Sequence, residues 1–453
     1  MRESHPKQLS LVPLSIDHEH AKELDAVSRV LDTHPNLAEL VTQDLVPTGR
    51  SSTMGARGMT GDQVLRVALL KQMKGWSYED LAFHLLDSLT YQRFCRIGVG
   101  ASVPRRATLA DNVKLIRQAT WEAIHRQLVV AAREAKVEDG RKVRVDCTVV
   151  KSTIHAPTDG GLVWDVVRVV CREMGRVQKD VTGLVFRDQA RKSKLLAYEI
   201  HYGRDPEKRK ADYTRLIAVG IEVLDQAQAA LPTIRTAAVD ENRTSRRRLA
   251  RSLATLERVV PLGWQVLEQT HARVVDGVTV PAPEKIVSIF ESHTDVIVKD
   301  RRETLFGHKI CLAAGASTFI TDVVVLDGNP ADATLVDPML SRHARLYGKA
   351  PRQIALDGGF ASKDNLASAK AAGVKDVCFS KRRGMAIADM AKSTWVYRQL
   401  KRFRAGVEGC ISFLKRGFGL DRCTWKGEAS FAAYVWASVV ASNLLVMARR
   451  LVE

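Results

Sequence analysis

The chain has 453 residues, of which 45% are hydrophobic and 26% are charged, a composition that excludes fibrous and disordered classes and is typical of a globular protein. Its formal net charge of +18 at pH 7 indicates a polyanionic partner. Nucleic acid is the first candidate and an anionic membrane surface the second, with a generally basic protein as the alternative. Seven cysteines without a C-x-x-C pair argue against a disulfide framework or a structural zinc site, and favour a reducing intracellular compartment.

The N-terminal part of the chain predicts an arm followed by a helical domain. Residues 1–57 are weakly patterned, lack the basic-then-apolar layout of a signal peptide, and end in a flexible connector. Thr60 and Gln63 have capping-box spacing before one helix, and Ser77 is predicted to cap a second. These two helices are compatible with a DNA-binding helix-turn-helix, and equally with any helical hairpin. A third, unbroken helix is predicted to begin after Thr108.

The pattern changes to that of an α/β domain in the second part of the chain. Residues 142–154 alternate apolar and polar side chains and predict a strand, which a long basic helical stretch follows. Further strands are predicted at 295–300, 308–314, 318–327, 352–360 and 376–381, the second and third of these forming a hairpin around Gly315. This order predicts a sheet layer with helices packed on it, interrupted by a helical insertion.

An uncharged stretch at residues 431–448 is close to the minimum length for crossing a bilayer. Ser438, Ser442 and Asn443 interrupt it, and the sequence contains no second such stretch. The interpretation is therefore a buried core helix, and no membrane partner is expected.

Three acids stand out by their context. Asp146 lies inside an apolar strand, where a charge is costly unless it is paired or binds a metal; the alternative is an outward-facing edge residue. Asp357 ends an apolar strand, and ligand and catalytic groups favour the carboxyl ends of strands in open α/β sheets. The alternative is a turn aspartate. Glu408 is the lone acid in the basic run 401–416, and its alternative is a solvated helix residue paired with Arg404.

Helical spacing makes the site at Glu408 more specific. Arg404, Glu408 and Lys415 fall within roughly 40° of one another on a helix, so that one face presents a carboxylate with a cation on each side. A metal-bound phosphodiester requires oxygen ligands for the metal and cations for the flanking phosphates. Arg422 and Lys426 add two further cations just beyond this helix.

The chain resembles bacterial insertion-sequence DDE transposases in three signature regions, at residues 145–159, 354–362 and 402–427. The last region matches the R-(3)-E-(6)-K part of the family's Y-R-E-K signature through Arg404, Glu408 and Lys415. The tyrosine of that signature is replaced by Lys401, and Tyr397, one helical turn earlier, is a candidate substitute. The region 60–110 also resembles the N-terminal helical domain of such enzymes, and the resemblance extends over about 60–450.

The resemblance implies an α/β fold with a ribonuclease-H-like mixed sheet flanked by helices. Asp146 would lie on the first strand, Asp357 after the fourth, and Glu408 on a helix packed beside them. The predicted domains are an N-terminal arm and connector (1–57), a helical DNA-binding domain (58–138), and a catalytic domain (139–453) interrupted by a basic helical insertion at about 160–295. The insertion is expected between the first and second strands.

The resemblance further implies an enzyme that binds terminal inverted repeats and catalyses DNA cleavage and strand transfer. Asp146, Asp357 and Glu408 would hold two Mg²⁺ (or Mn²⁺) ions about 4 Å apart. Arg404 and Lys415 would neutralise phosphate charge, as would the further cations predicted to bind DNA, which are Arg422, Lys426, Arg246, Arg247 and Arg248. The arginine run at 246–248 is equally compatible with a solvated helix face.

The expected partners are double-stranded DNA, both terminal repeats and target, and a second copy of the chain when two ends are synapsed. The expected location is the bacterial cytoplasm, associated with the nucleoid. Two alternatives remain open at this point: a catalytically inactive DNA-binding relative, and a metal-dependent nuclease without joining activity.

Overall fold

The computed structural model describes residues 17–46, 58–98, 100–240, 245–299 and 303–452. The chain divides into two compact units. We call residues 1–150 and 309–453 the core unit, and residues 151–308 the helical unit. The predicted connector, at residues 47–57, lies outside the described residues.

The elements of the chain follow one another in a simple order. The first part contains α1 (Glu19–Asp32), α2 (Asn36–Leu45), α3 (Gly61–Lys74), α4 (Tyr78–Asp87), α5 (Leu89–Phe94), α6 (Arg106–Val113), α7 (Gln118–Glu134) and β1 (Lys142–Lys151). The helical unit contributes α8 (Asp159–Val177), α9 (Ala190–Tyr202), α10 (Pro206–Val239), α11 (Arg246–Val274) and β2 (Asp295–Lys299). The remainder contains β3 (Glu303–Ala314), β4 (Ile320–Val325), α12 (Val336–Tyr347), β5 (Gln353–Leu356), α13 (Lys363–Ala371), β6 (Asp376–Phe379), α14 (Ile387–Met390), α15 (Thr394–Gly417) and α16 (Glu428–Val452).

The strands form one mixed sheet in the order β2-β3-β1-β5-β6, and β4 also pairs with β3. The β1–β5 and β5–β6 pairs are parallel, whereas β2–β3 and β3–β4 are antiparallel. The predicted hairpin around Gly315 is therefore confirmed. A mixed sheet flanked by helices agrees with the predicted ribonuclease-H-like α/β class. Strand β1 is central rather than at an edge, which is important for the orientation of Asp146.

The N-terminal helices begin where their capping residues predict. Thr60 Oγ1 accepts a hydrogen bond from the Gln63 backbone N–H, and the Gln63 side chain accepts one from the Thr60 N–H. Ser77 makes the same reciprocal pair with Asp80. The prediction of one unbroken helix after Thr108 is wrong, because the chain forms α6 and α7 with a break between them.

Helices α1 and α2 pack against the helices that follow them, and α2 also contacts the break between α6 and α7. The Arg117 backbone N–H donates to Asp44 of the α2 end instead of continuing a helix. Leu24 of α1 and Leu37 of α2 belong to the same apolar core as Leu65 of α3. Described residues 17–46 thus form helices that share an apolar core with α3.

Helix α16 is the uncharged stretch that raised the membrane question. It is long and apolar enough to cross a bilayer, but 89% of its apolar window is buried inside the protein. Its polar interruptions satisfy partners in the core: Asn443 Oδ1 accepts the Ile320 N–H and Asn443 Nδ2 donates to the Ile320 carbonyl, both at 2.8 Å. Gln72 donates to Ser438 Oγ at 2.7 Å. These bonds explain Ser438 and Asn443, and the prediction of a core helix is confirmed.

Replacing Asn443 by leucine is expected to destabilise the protein by about 1 to 3 kcal/mol. Leucine has the same branching and number of heavy atoms, but it leaves the buried N–H of Ile320 on β4 without its side-chain partner, whereas the Ile320 carbonyl keeps its contact with His125 Nε2. The measurement is the free energy of unfolding in urea. Ser430→Ala, at the start of the same helix, is the control that should change it little. An unfolding free energy unchanged by Asn443→Leu would show that this clamp contributes nothing.

The helical unit has an apolar core of its own, built from α8, α9, α10 and α11. Three of these helices meet at Gly263 of α11, where a Cβ atom would lie 2.8 Å from Val166 of α8 and 2.9 Å from Leu224 of α10. The absence of a side chain at this position lets the helices approach closely. In chain order these helices lie between β1 and β2.

Candidate active site

Asp146 is supplied by the central strand β1. Its side chain is 15% exposed, and its Oδ1 accepts a hydrogen bond from the Cys147 N–H at 2.8 Å. Because β1 lies between β3 and β5, the alternative of an outward-facing edge residue does not hold. The carboxylate is therefore a partly buried charge that requires a positive partner.

Asp357 lies directly after β5, the fifth strand, where the resemblance implied the fourth. The count differs because β2 and β4 each pair with a different half of β3. The parallel register pairs Val145 with Leu356. It therefore brings Asp146 and Asp357, the residues that follow this pair along the chain, side by side. Asp357 Oδ1 accepts a hydrogen bond from Ser380 Oγ at 2.7 Å.

Glu408 and Arg404 are supplied by α15, which packs on β5 and β6. The guanidinium Nη2 of Arg404 lies 3.1 Å from Asp146 Oδ2 and 3.2 Å from Asp357 Oδ1. Its Nη1 lies 3.5 Å from Glu408 Oε1. Arg404 is 16% exposed and Glu408 is 73% exposed, so the arginine is enclosed and the glutamate faces solvent. The structure thus brings all three predicted acids around one cation.

Burial and charge act in opposite directions on the pKa values of the two aspartates. Burial raises the pKa of Asp146, and this outweighs the lowering by the Cys147 N–H and Arg404. Burial also acts to raise the pKa of Asp357, but hydrogen bonds from Ser380 and the Gly358 N–H, together with the charge of Arg404, lower it overall. Two neighbouring carboxylates with divergent pKa values are typical of functional sites.

Asn substitutions at the two aspartates should change stability in opposite directions. Asp146 has a raised folded-state pKa, so its carboxyl contributes stability in acid that is lost as the pH rises through that pKa. Asp357 has a lowered folded-state pKa, so its carboxylate contributes stability at neutral pH that is lost as the pH falls through that pKa. At pH 7 we expect a higher melting temperature for Asp146→Asn and a lower one for Asp357→Asn.

Thermal unfolding at several pH values is the appropriate measurement. The Asp146→Asn difference should shrink as the pH falls through the raised folded-state pKa of Asp146, and should be gone below about 3.9, the ordinary aspartate pKa. The Asp357→Asn difference should shrink only at lower pH, as the pH falls from about 3.9 through the lowered folded-state pKa of Asp357. Shifts of the same sign for the two variants at pH 7 would contradict the assignment.

Helix α15 is anchored by a residue that the sequence did not single out. Arg144, buried in β1, donates from Nη1 to the Phe403 carbonyl at 3.1 Å and lies over the Phe403 ring. A Cβ at Gly406 would lie 2.3 Å from Arg144 Nη1, so the glycine allows this contact. Gly406, unexplained by helix propensity, was the available signal. Gly409 has no atom within 4 Å of such a Cβ and no comparable reason.

The other predicted residues near α15 have mixed placements. Lys415 is half-buried, and Arg422 and Lys426 are exposed. Tyr397, the candidate for the missing signature tyrosine, is 6% exposed and donates to the Phe379 carbonyl at 2.7 Å, so its hydroxyl faces the core. Lys401, at the signature position, is exposed.

The predicted arginine run lies in the helical unit, in the first turn of α11. Arg246, Arg247 and Arg248 are all exposed, and Arg248 forms an ion pair with Asp180 through Nε at 2.7 Å. Within the same unit, His155 lies 3.3 Å from the buried Asp165. These placements allow a DNA contact by the run but do not require one.

A metal ion fits the donor set at the three acids, although Arg404 occupies the space between them. Among the described residues, no group of three or more His, Cys, Asp or Glu side chains is already arranged to hold a metal. Carboxylate oxygens are the ligands that Mg²⁺ prefers. The cation already shared by Asp146, Asp357 and Glu408 is a guanidinium, which shows that the site attracts positive charge.

Two comparisons with family models bear on this site. Residues 268–444 match the model described as a transposase DDE domain, a span that includes Asp357 and Glu408 but not Asp146. Residues 14–115 match the model described as a transposase domain, and this match begins well before the predicted boundary at 58. No curated protein and no solved structure matches the chain.

Both matches define the class of protein as a transposase. Together with the site on the mixed sheet, they support the identification of the chain as an insertion-sequence DDE transposase.

Proposed function

We propose that the chain binds the terminal inverted repeats of its insertion sequence and catalyses metal-dependent cleavage and strand transfer of DNA. Asp146, Asp357 and Glu408 are the proposed catalytic carboxylates. The observation that carries this proposal is their convergence: a central strand, a neighbouring strand end and a packed helix deliver three acids to one guanidinium.

The same three carboxylates would hold two divalent ions, either Mg²⁺ or Mn²⁺. Bound divalent ions supply Lewis acidity both to an attacking water or 3′-hydroxyl and to the leaving oxygen. Ser380, which donates to Asp357, would keep one oxygen of that carboxylate oriented. Arg404 would release the carboxylates and neutralise a phosphate of the reacting strand. Its guanidinium suits this role because it is largely enclosed, is always charged and carries several hydrogen-bond donors in one plane.

Cations around the site and in the helical unit are the proposed DNA contacts. In the core unit these are Lys415, Arg422 and Lys426, which follow Glu408 along the chain. In the helical unit they are Arg246, Arg247 and Arg248 at the exposed start of α11. A net charge of +18 supports a partner of high negative charge. Two copies of the chain would be required to synapse two element ends. The proposed location is the cytoplasm of a bacterium, in association with the nucleoid.

A strand-transfer assay separates this function from its alternatives. The substrate is a labelled duplex carrying one element end, taken from the DNA that flanks the reading frame, with supercoiled plasmid as target and Mg²⁺ or Mn²⁺ present. Cleavage with joining supports the proposal. Cleavage without joining indicates a nuclease. Binding without cleavage indicates an inactive DNA-binding relative. The reason to consider this last alternative is that Lys401 replaces the tyrosine of the signature.

A further inference from the structure

A second basic site lies in the core unit, at the edge of the sheet where the parallel strands begin. There a cavity of about 480 Å³ is lined by four cations and one carboxylate. The cations are Arg141, Lys349, Arg352 and Lys375, and the carboxylate is Asp139. We call this the strand-start cavity. All four cations are exposed at its rim, so a large ligand can reach them.

The sheet itself brings these cations together. Arg141 precedes β1, Arg352 precedes β5 and Lys375 precedes β6, three neighbouring parallel strands. Their backbones are directly bonded: the Gln353 N–H donates to the Arg141 carbonyl and the Lys375 N–H to the Arg352 carbonyl, both at 2.9 Å. The spacing between the three cations is therefore set by strand pairing rather than by a mobile loop.

Two buried, uncharged aromatic residues also line the cavity. Tyr347 is 4% exposed, and its hydroxyl oxygen is fully buried, so a ligand in the cavity does not reach it. Burial raises the pKa of Tyr347, so the hydroxyl carries no charge. Burial lowers the pKa of His343, stacked on the Tyr347 ring at 4.6 Å, to about 4, so the histidine is neutral.

We propose that the strand-start cavity binds a backbone phosphate of a DNA segment other than the one at the active site. Arg352 and Asp357 stand at opposite ends of β5, and five residue-to-residue steps along the strand separate them by roughly 16 Å. The exposed cations supply both charge and hydrogen-bond donors to the phosphate. This inference rests on the proposed function, because it assumes that the chain handles DNA.

The chemistry of the cavity favours a phosphodiester over a free nucleotide. A nucleotide site would normally offer an aromatic face to the base, but the Tyr347 ring is already stacked on His343. The open rim of cations instead suits a continuous phosphate backbone, whose affinity depends on the number of neutralised phosphates.

The test measures the salt dependence of DNA binding by fluorescence anisotropy, with a labelled duplex of about 40 base pairs and arbitrary sequence. The double variant Arg352→Gln, Lys375→Gln should bind more weakly, and the slope of log K against log salt should become shallower by about 1 to 2. The matched control Arg29→Gln, Lys363→Gln removes the same charge from exposed positions outside the cavity, and should retain the parent slope.

Tyr347→Phe is a second control, because it removes a fully buried hydroxyl without changing the charge. It should leave both the affinity for DNA and the slope close to those of the parent protein. A double-variant slope equal to the control slope would overturn the proposal. So would a melting temperature that inorganic phosphate raises in the parent protein but not in the Arg352→Gln, Lys375→Gln variant, if the two proteins bind DNA equally well. That result would identify a free-anion site. A parent protein that binds no DNA would instead refute the proposed function.

Discussion

Replacement of Glu408 by glutamine is expected to reduce strand cleavage and joining by more than about 100-fold while DNA binding persists. Glutamine keeps the shape of the side chain but loses the charge that would ligate a divalent ion. Because Glu408 is 73% exposed and its contact with Arg404 is a peripheral 3.5 Å, the fold should not depend on it. The measurement is product formation on a labelled element end, with binding followed in parallel by anisotropy.

A matched control distinguishes loss of a metal ligand from loss of an acid near DNA. Glu428→Gln removes the same charge from an exposed position at the start of α16 in the same unit. It should retain cleavage close to that of the parent protein. Substantial Mg²⁺-dependent cleavage by Glu408→Gln would refute the assignment of this residue, whatever the control shows.

Replacement of Arg404 by alanine is expected to destabilise the protein by about 3 kcal/mol and to make its stability dependent on divalent ions. The substitution leaves the partly buried Asp146 beside Asp357 without a shared counter-charge. The pKa of Asp146, already raised by burial, should rise further, because Arg404 is one of the groups that lower it. Millimolar Mg²⁺ should then restore part of the lost melting temperature, since a cation can occupy the vacated position.

The control for Arg404 is Arg398, an exposed arginine on the same helix. Arg398→Ala should change stability by less than about 0.5 kcal/mol and should not alter the response to Mg²⁺. The double variant Arg404→Ala, Asp146→Asn should be less destabilised than the sum of the separate effects, because the two residues are in contact. An equal Mg²⁺-induced shift in the parent and Arg404→Ala proteins would contradict the idea that the arginine stands where a metal ion would bind.

The contacts of Arg404 could not be predicted from the sequence. Helical spacing places Arg404, Glu408 and Lys415 on one face, and it predicts phosphate contacts on either side of an acid. The structure instead ties Arg404 to the two aspartates from the sheet, which lie far from it in the sequence. Helical periodicity reports neighbours along one helix, but it carries no information about which strand the helix covers.

Several individual elements were determined by the sequence alone. The capping residues Thr60 and Ser77, the alternation around Asp146, and the hairpin at Gly315 are local signals, because they depend on a few consecutive residues and their backbone hydrogen bonds. The order of the three acids along the chain and the resemblance of their surroundings to transposase signatures were available in the same way.

Only the tertiary structure decided which groups meet. The pairing of β1 with β5 puts Asp146 next to Asp357 and, at the opposite end of the strands, places Arg141 next to Arg352. Gly406 and Asn443, anomalous in their own helices, are explained by Arg144 and by the backbone of β4. Such contacts depend on strand register and helix packing between distant segments, and these follow from burial of the whole chain rather than from any local pattern.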